Sequence, residues 1–295
     1  MTITFPDVDI WKQSCPLISR ALLLMELANP ERLQAGDVAR RLEIPEDTLT
    51  ALFRKHLSAT PDELLTARQK AIGGLVLKTM SAVKGSPRAS LGSSPRFRVE
   101  LAYQSPYDWE AIFRFLERRL IPGVEELSGN IYRRTFSFGE EQGIVEISHQ
   151  RAGALTALID FTEKEKLPEI IGRLRRMFDL SADPALIARR LGKDITLAPL
   201  VKSRPGLRLP GAWDAFELAI RAILGQQITV SGAIQLAGKA VARFGAPLLR
   251  PSGKLTHVFP RPDHLIRADF GALGMPATRA NTLRNMAEVA AGTPA

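Results

Sequence analysis

The chain has 295 residues, 45% of them hydrophobic, and 40 Lys and Arg against 31 Asp and Glu give a net charge of +9. That length allows two or three domains with separate cores, and the basic balance suits a polyanionic partner, although a solvated basic surface would read the same way. With no apolar run near the roughly 20 residues of a bilayer span, a mean hydropathy of -0.03 and an isoelectric point near 10.0, a membrane protein is excluded.

The start, MTITFPDVDIWKQ, has neither a basic leader nor an apolar signal core, so a cytoplasmic protein is expected. The single cysteine, Cys15, excludes an internal disulfide and Cys-based zinc clusters. His56, His149, His257 and His264 are scattered, with no pair at helical ligand spacing. No metal and no cofactor are expected.

Leu22, Leu23, Met25 and Leu27 make one apolar helix, ended by Asn29-Pro30. Leu33–Leu42 reads as a short helix with Val38, Ala39 and Leu42 inward. Glu43-Ile44 forms a tight turn, and Pro45 suits the first position of a new helix. Glu46 and Asp47 complement that helix's N-terminal dipole. Leu49, Leu52, Phe53 and Leu57 then recur as an amphipathic stripe. Two short helices across a tight turn are the helix-turn-helix pattern. Its second helix offers Thr48, Thr50, Ala51, Arg54 and Lys55 outward as DNA contacts; a plain helical bundle shares these signals. Thr60-Pro61-Asp62-Glu63-Leu64 caps a further helix running to about Met80. Residues 81–96 are rich in Ser, Gly and Pro, carry Lys84, Arg88 and Arg96 without an acid, and read as a flexible basic linker.

From Phe97 the pattern changes. FRVELAY alternates like a strand, and Asp108 opens a helix bearing Trp109, Ile112, Phe113, Leu116 and Leu120. Ile131–Phe138, Gly143–Ser148 and Ala154–Phe161 come next as strands, with turns at Gly139 and Arg151–Gly153. Lys166–Phe178 is a helix with Leu167, Ile170, Ile171, Leu174 and Phe178 inward. This order makes a small α+β domain around an antiparallel sheet. Beyond Ser181 every signal is helical: Asp183–Leu191, Trp213–Leu224, Ser231–Phe244, Asp263–Phe270 and Thr278–Ala290. The fold class is therefore α+β, with a helical N-terminal region (1–80), the linker (81–96), a sheet domain (97–180) and an all-helical segment (181–295).

Two resemblances sharpen this reading. Residues 17–80 resemble the first half of an AraC-type DNA-binding domain, of the kind fused to alkyl-base glycosylases in adaptive-response regulators. The second helix-turn-helix and the cysteine-rich zinc domain of such regulators are missing, so weak DNA binding of little specificity is expected. SPYDWEAIFRFL, RLRRMFDL, RPGLRLPGAWDAFE, RAILGQQITV and ALGMPATRA resemble the 3-methyladenine DNA glycosylase II family, from about Arg98 to Ala291.

The resemblance implies repair of alkylated bases in double-stranded DNA by a monomer that flips the base out and fills the gap. The loop Gly225-Gln226-Gln227-Ile228-Thr229 matches the family's minor-groove wedge, with Gln227 where some members have leucine. A helix-terminating polar pair would read alike. Phe115 matches a pocket-lining phenylalanine that suits a cationic base; from periodicity alone it is equally a secondary core contact. Trp213 and Phe216 are expected in the core. The family's hairpin and catalytic Asp are expected beyond Ala295, so this chain is expected to be inactive or nearly so. Asp214, Glu217, Asp263 and Asp269 read as caps or dipole partners rather than substitutes. A non-catalytic DNA-binding or regulatory remnant is the alternative. A third reading is an incomplete, poorly folded product, in which loss of the last helices would uncover Ile220, Ile223, Ile234 and Val241 and favour aggregation.

Overall fold

The computed structural model describes residues 16–27, 33–57, 59–66, 80–82 and 95–292. Cys15, the Asn29-Pro30 helix end, most of the helix expected after Thr60 and the linker from Val83 to Ser94 lie outside them. The chain divides into two compact units, residues 1–78 and residues 79–294.

In the first unit, helices α1 (Pro16–Leu27), α2 (Ala35–Arg41) and α3 (Glu46–Leu57) surround one core of Ile18, Ala21, Met25, Val38, Leu49 and Phe53. Helix α2 ends in a Schellman turn. Glu43 takes the left-handed conformation (φ 57°), its N–H donates to the Arg40 carbonyl (3.1 Å), and the Ile44 N–H reaches back to Ala39 (3.1 Å). The Glu43-Ile44 turn of the helix-turn-helix pattern is thus a closed hydrogen-bonded corner. Thr60 caps the helical turn at 61–66 reciprocally: its N–H donates to Glu63 (2.7 Å) and its hydroxyl accepts from the Glu63 N–H (3.2 Å).

The second unit is built on a six-stranded antiparallel sheet: β1 (Met80–Ala82), β2 (Arg96–Ala102), β3 (Glu125–Ser128), β4 (Ile131–Phe138), β5 (Glu141–Arg151) and β6 (Ala154–Asp160). The order is β1-β2-β6-β5-β4-β3. Both edge strands differ from expectation. Ser81 and Ala82, expected in the linker, pair with Arg98 and Phe97, and Arg96 already belongs to β2 opposite Asp160. Strand β3, absent from the expected elements, carries Glu125 and Glu126, and both side chains are buried.

The inward positions of β2, Phe97, Val99 and Leu101, obey the strict alternation of the sequence. Helices α4 (Trp109–Glu117) and α5 (Leu167–Met177) bury Trp109, Ile112, Leu116, Ile170, Ile171 and Leu174. Trp109 stacks on Phe178 at 6.0 Å, and Phe178 meets Tyr132 of β4 edge-on at 5.9 Å.

Helices α6 (Pro184–Leu191), α7 (Leu197–Ser203), α8 (Ala215–Leu224), α9 (Val230–Phe244), α10 (Pro262–Ile266) and α11 (Ala277–Gly292) complete the unit. This segment is not all-helical as expected. Between α9 and α10 lies a hairpin of β7 (Pro247–Ser252) and β8 (Leu255–His257), which buries Leu248, Leu255 and Val258. The Asp263–Phe270 helix is also broken: α10 ends at Ile266 and a 3-10 turn spans Phe270–Leu273, capped by Asp269 (3.1 Å to the Gly271 N–H). Ile220 and Val241 are not uncovered, contrary to expectation, but buried in one core with Leu283 and Ala287 of α11; Ile223 and Ile234 are half-buried. Leu200, Leu209 and Leu218 are among the apolar side chains left exposed on this segment. No helix among the described residues is long and apolar enough to cross a membrane.

Sheet and helices are joined by buried charge. Arg134 of β4, with a side chain only 1% exposed, donates to Glu217 of α8 at 2.6 Å and lies 3.6 Å from Glu125 of β3. Tyr132 donates to Glu125, and Arg221 reaches Glu217 at 3.3 Å and Glu125 at 3.5 Å. The Arg134 guanidinium also lies 4.6 Å over the Trp213 ring. Burial alone would raise the Glu217 carboxyl pKa, but the Arg134 and Arg221 guanidiniums outweigh it and hold it below the ordinary value of 4.5. A lowered folded pKa stabilises above the unfolded value and loses that contribution as pH falls through the folded one. Removing one member of such a buried set leaves an uncompensated charge, so Glu217→Ala is expected to lower the unfolding free energy by about 3–5 kcal/mol at neutral pH. Denaturant titrations check this. The wild-type loss of stability below pH 4.5 is expected to flatten in the same variant.

Candidate nucleic-acid interface

In the first unit the residues expected to face DNA lie on α3: Thr48, Ala51, Arg54 and Lys55 are exposed and Thr50 is half-buried, while Leu49 and Phe53 anchor the opposite face in the core. The helix therefore offers a hydroxyl, a methyl and two cations on one side without disturbing its packing.

In the second unit the wedge-loop residues join α8 to α9. Gly225 ends α8, its N–H donating to the Arg221 carbonyl at 3.0 Å, and the Gln226 N–H donates to Ile223 at 3.3 Å. Gln226 and Gln227 are both exposed. Gln227 holds a left-handed conformation (φ 58°); for a side chain with a Cβ this costs roughly 1–2 kcal/mol. Thr229 then caps α9, accepting the Gly232 N–H at 3.1 Å. Gly225 keeps right-handed geometry, so the reversal of the backbone after α8 falls at Gln227, and both glutamines are exposed.

Phe115, on α4, is 37% exposed, so it lies outside the stripe of buried Trp109, Ile112 and Leu116 and is not a core contact. Its ring is not bare: the Arg119 guanidinium sits 3.9 Å over the centroid, one helical turn on. The Arg119 carbonyl accepts from Arg221 of α8 at 2.8 Å, which ties the Phe115 end of α4 to the helix that ends in the glutamine loop. Arg119 was legible in the sequence as an i+4 cation, and Arg221 as an i+4 partner of Glu217, but their carbonyl link across 102 residues was not.

The carboxylates weighed from sequence are engaged. Asp214 caps α8 through the Glu217 N–H (2.7 Å) and meets Arg173 (3.1 Å); burial, with Glu217 beside it, raises its pKa. Glu217 stands in the first turn of α8, as expected of a dipole partner, with its side chain in the buried cluster. Asp263 is paired with Arg261 at 3.1 Å, which lowers its pKa. Trp213 is buried and Phe216 packs against the helical core, as expected. Among the described residues no group of three or more His, Cys, Asp or Glu is placed to hold a metal ion.

The RPGLRLPG stretch proves to be a strap. Gly206, at φ 81°, lies where a Cβ would come within 2.6 Å of the Pro106 backbone, and its carbonyl accepts the Asp108 N–H at 2.9 Å. The buried Arg208 donates to the carbonyls of Ala182 (2.8 Å), Pro106 (3.0 Å), Asp179 (3.4 Å) and Gln104. These residues bind the entry of the helices to the sheet domain and touch nothing in the glutamine loop.

The fold and the chain's relatives agree. A solved 3-methyladenine DNA-glycosylase from Archaeoglobus fulgidus superposes with a TM-score of 0.57 over 65% of this chain and 66% of its own, at 22% identity. The two proteins share a fold, a helical segment set against an antiparallel sheet domain. Residues 98–214 match the AlkA N-terminal domain family. Over 94% of its length the chain is 35% identical to a probable bifunctional transcriptional activator/DNA repair enzyme AlkA of Mycobacterium tuberculosis (strain CDC 1551 / Oshkosh), and covers 63% of that protein. Over 64% of its length it is 34% identical to DNA-3-methyladenine glycosylase 2 of Escherichia coli (strain K12), covering 66% of it. The chain thus spans just under two thirds of the relatives it matches.

The strain at Gln227 has a direct test. Gln227→Gly, which removes the Cβ from a left-handed position, is expected to raise the unfolding free energy by about 0.5–1 kcal/mol, read from thermal or denaturant unfolding.

Proposed function

We propose that the chain is the DNA-engaging part of an AlkA-type alkyl-base glycosylase, acting on double-stranded DNA in base-excision repair as a monomer. The observation that carries this reading is the exposed, conformationally strained Gln227 at the α8–α9 turn. Enzymes that reach a stacked base must extrude it and fill the hole. A glutamine can do both, stacking its amide plane and hydrogen-bonding to the orphaned partner base. Phe115 would supply an aromatic wall for a cationic base such as 3-methyladenine, worth roughly 0.5–2 kcal/mol. A cationic base cannot share that face with a guanidinium, so Arg119 must swing aside when the lesion enters.

Hydrolysis needs a carboxylate beside the sugar. Asp214 and Asp263 are held by arginines, Glu217 is buried in the ion cluster, and Asp269 caps a 3-10 turn. None of the four serves as that carboxylate in this reading, and the chain as it stands binds and distorts DNA with little or no base release. The test is paired: purified chain is assayed for binding to duplex DNA and for release of 3-methyladenine from alkylated duplex. Binding without release is expected. Release at the rate of a full-length relative would sink the assignment of inactivity, and absence of binding would sink the reading itself.

A second reading, a non-catalytic DNA-binding or regulatory protein, is favoured by α3 alone, where Arg54 and Lys55 stand exposed. Each phosphate contact contributes about 0.9 to the slope of log affinity against log salt. If α3 engages the backbone, the double variant Arg54→Ala, Lys55→Ala is expected to flatten that slope by about 2. An unchanged slope excludes α3 from binding.

A further inference from the structure

Gln227 is held in a conformation that its own side chain disfavours, and the local turn does not explain it. The hydrogen bonds within the loop involve Gly225 and Gln226 on one side and the Thr229 cap on the other, flanking Gln227 without fixing it. A strained residue persists where its surroundings over-determine it. One contact from outside the loop does this: Arg279, in the first turn of α11, donates from Nη2 to the Gln226 carbonyl at 2.6 Å. That carbonyl belongs to the peptide group joining Gln226 to Gln227, so anchoring its direction constrains the ψ of Gln226 together with the φ of Gln227. Helix α11 is itself a firm support, since Ala280, Leu283 and Ala287 are buried in the core that holds Ile220 and Leu224 of α8.

We propose that Arg279 is the positioning residue of the glutamine loop: it clamps the Gln226 carbonyl and so presents Gln227 ready to enter the duplex. The inference rests on the reading of Gln227 as the inserting side chain, and extends it to a residue 52 positions further along the chain. Its function is pre-organisation. A loop already in the inserting conformation does not spend binding free energy on ordering itself at a lesion. On undamaged duplex, where no hole is filled, the clamp makes no difference.

The test uses the whole chain, wild type and the variants Arg279→Ala, Arg279→Lys and Gln227→Ala. Two duplexes are compared: an undamaged one, and one with a tetrahydrofuran abasic site opposite 2-aminopurine. Arg279→Ala is expected to weaken abasic-duplex binding roughly three- to tenfold, the loss of one hydrogen bond to a loop that must then order itself. It should also abolish the 2-aminopurine fluorescence change and leave undamaged-duplex affinity and salt slope as in wild type. Arg279→Lys, the milder change, is expected to fall between the two. Hydrogen–deuterium exchange without DNA is expected to speed up at 226–229 in Arg279→Ala while α11 keeps its protection.

Equal weakening on both duplexes with a flatter salt slope would make Arg279 a phosphate contact and overturn the proposal. Unchanged exchange at 226–229 would overturn it as well, whatever the DNA results. If instead Gln227→Ala preserves the fluorescence response, the inserting role of Gln227 fails, while the exchange data still decide whether Arg279 holds the loop.

Discussion

Everything in the second unit is arranged around the charge on Arg134. A guanidinium buried without partners would cost far more than the whole stability of a domain, on the order of 20 kcal/mol in the idealised limit. It is tolerated because Glu217 comes from the helices and Glu125 from the adjoining strand, with Tyr132 and Arg221 closing the set. An apolar interface could slide and still bury its area. This one has a single register at which every charge is answered, so the position of α8 against the sheet is fixed by pairing geometry. The glutamine loop sits at the end of α8 and inherits that placement.

The same logic recurs at lower cost along the interface. Arg133, next on β4, reaches Glu126, Glu146 (3.1 Å) and Ser252 of the β7–β8 hairpin (2.8 Å), and the Lys254 N–H donates to Glu126 at 2.7 Å. Arg208 answers carbonyls that the turns at 104–106 and 179–182 leave unpaired. Three arginines thus seam the sheet domain to the helices and the hairpin packed against it. Part of the arginine content is therefore structural, but Glu125, Glu126, Glu146 and Glu217 answer these cations, so the excess basic charge resides elsewhere on the chain.

Most helices were legible because their apolar residues recur at helical spacing and their caps are of the expected kinds: Asp108, Asp183, Asp214 and Thr229 all accept first-turn N–H groups; α7, which buries no residue, was not. Central strands β2, β4, β5 and β6 were legible by alternation. What escaped was charge that is buried. Glu125 and Glu126 break any alternation along β3, and nothing local marks Arg134 of β4 as buried, since its partner Glu217 lies 83 residues away. The β7–β8 hairpin escaped because only Leu248 and Leu255 face its core, too few for a pattern. At the candidate site, the identities Phe115 and Gln227 came from resemblance. Their states, a ring covered by Arg119 and a left-handed backbone, are products of the fold.

Those two states bear on each other. An aromatic ring kept under a guanidinium is already engaged in the interaction that a cationic base would make. Under the proposed function this arrangement would discriminate: a neutral base would gain too little from the ring to displace Arg119, whereas a positively charged one would both repel the guanidinium and replace its stacking. The carbonyl of Arg119 remains tied to Arg221, so the side chain can leave while the backbone of α4 keeps its place on α8. In that proposal recognition would rest on the Arg119 side chain leaving a fixed ring, and insertion on the Gln227 side chain over a held backbone; α8, which the buried Arg134–Glu217 pair sets against the sheet, ties the two together.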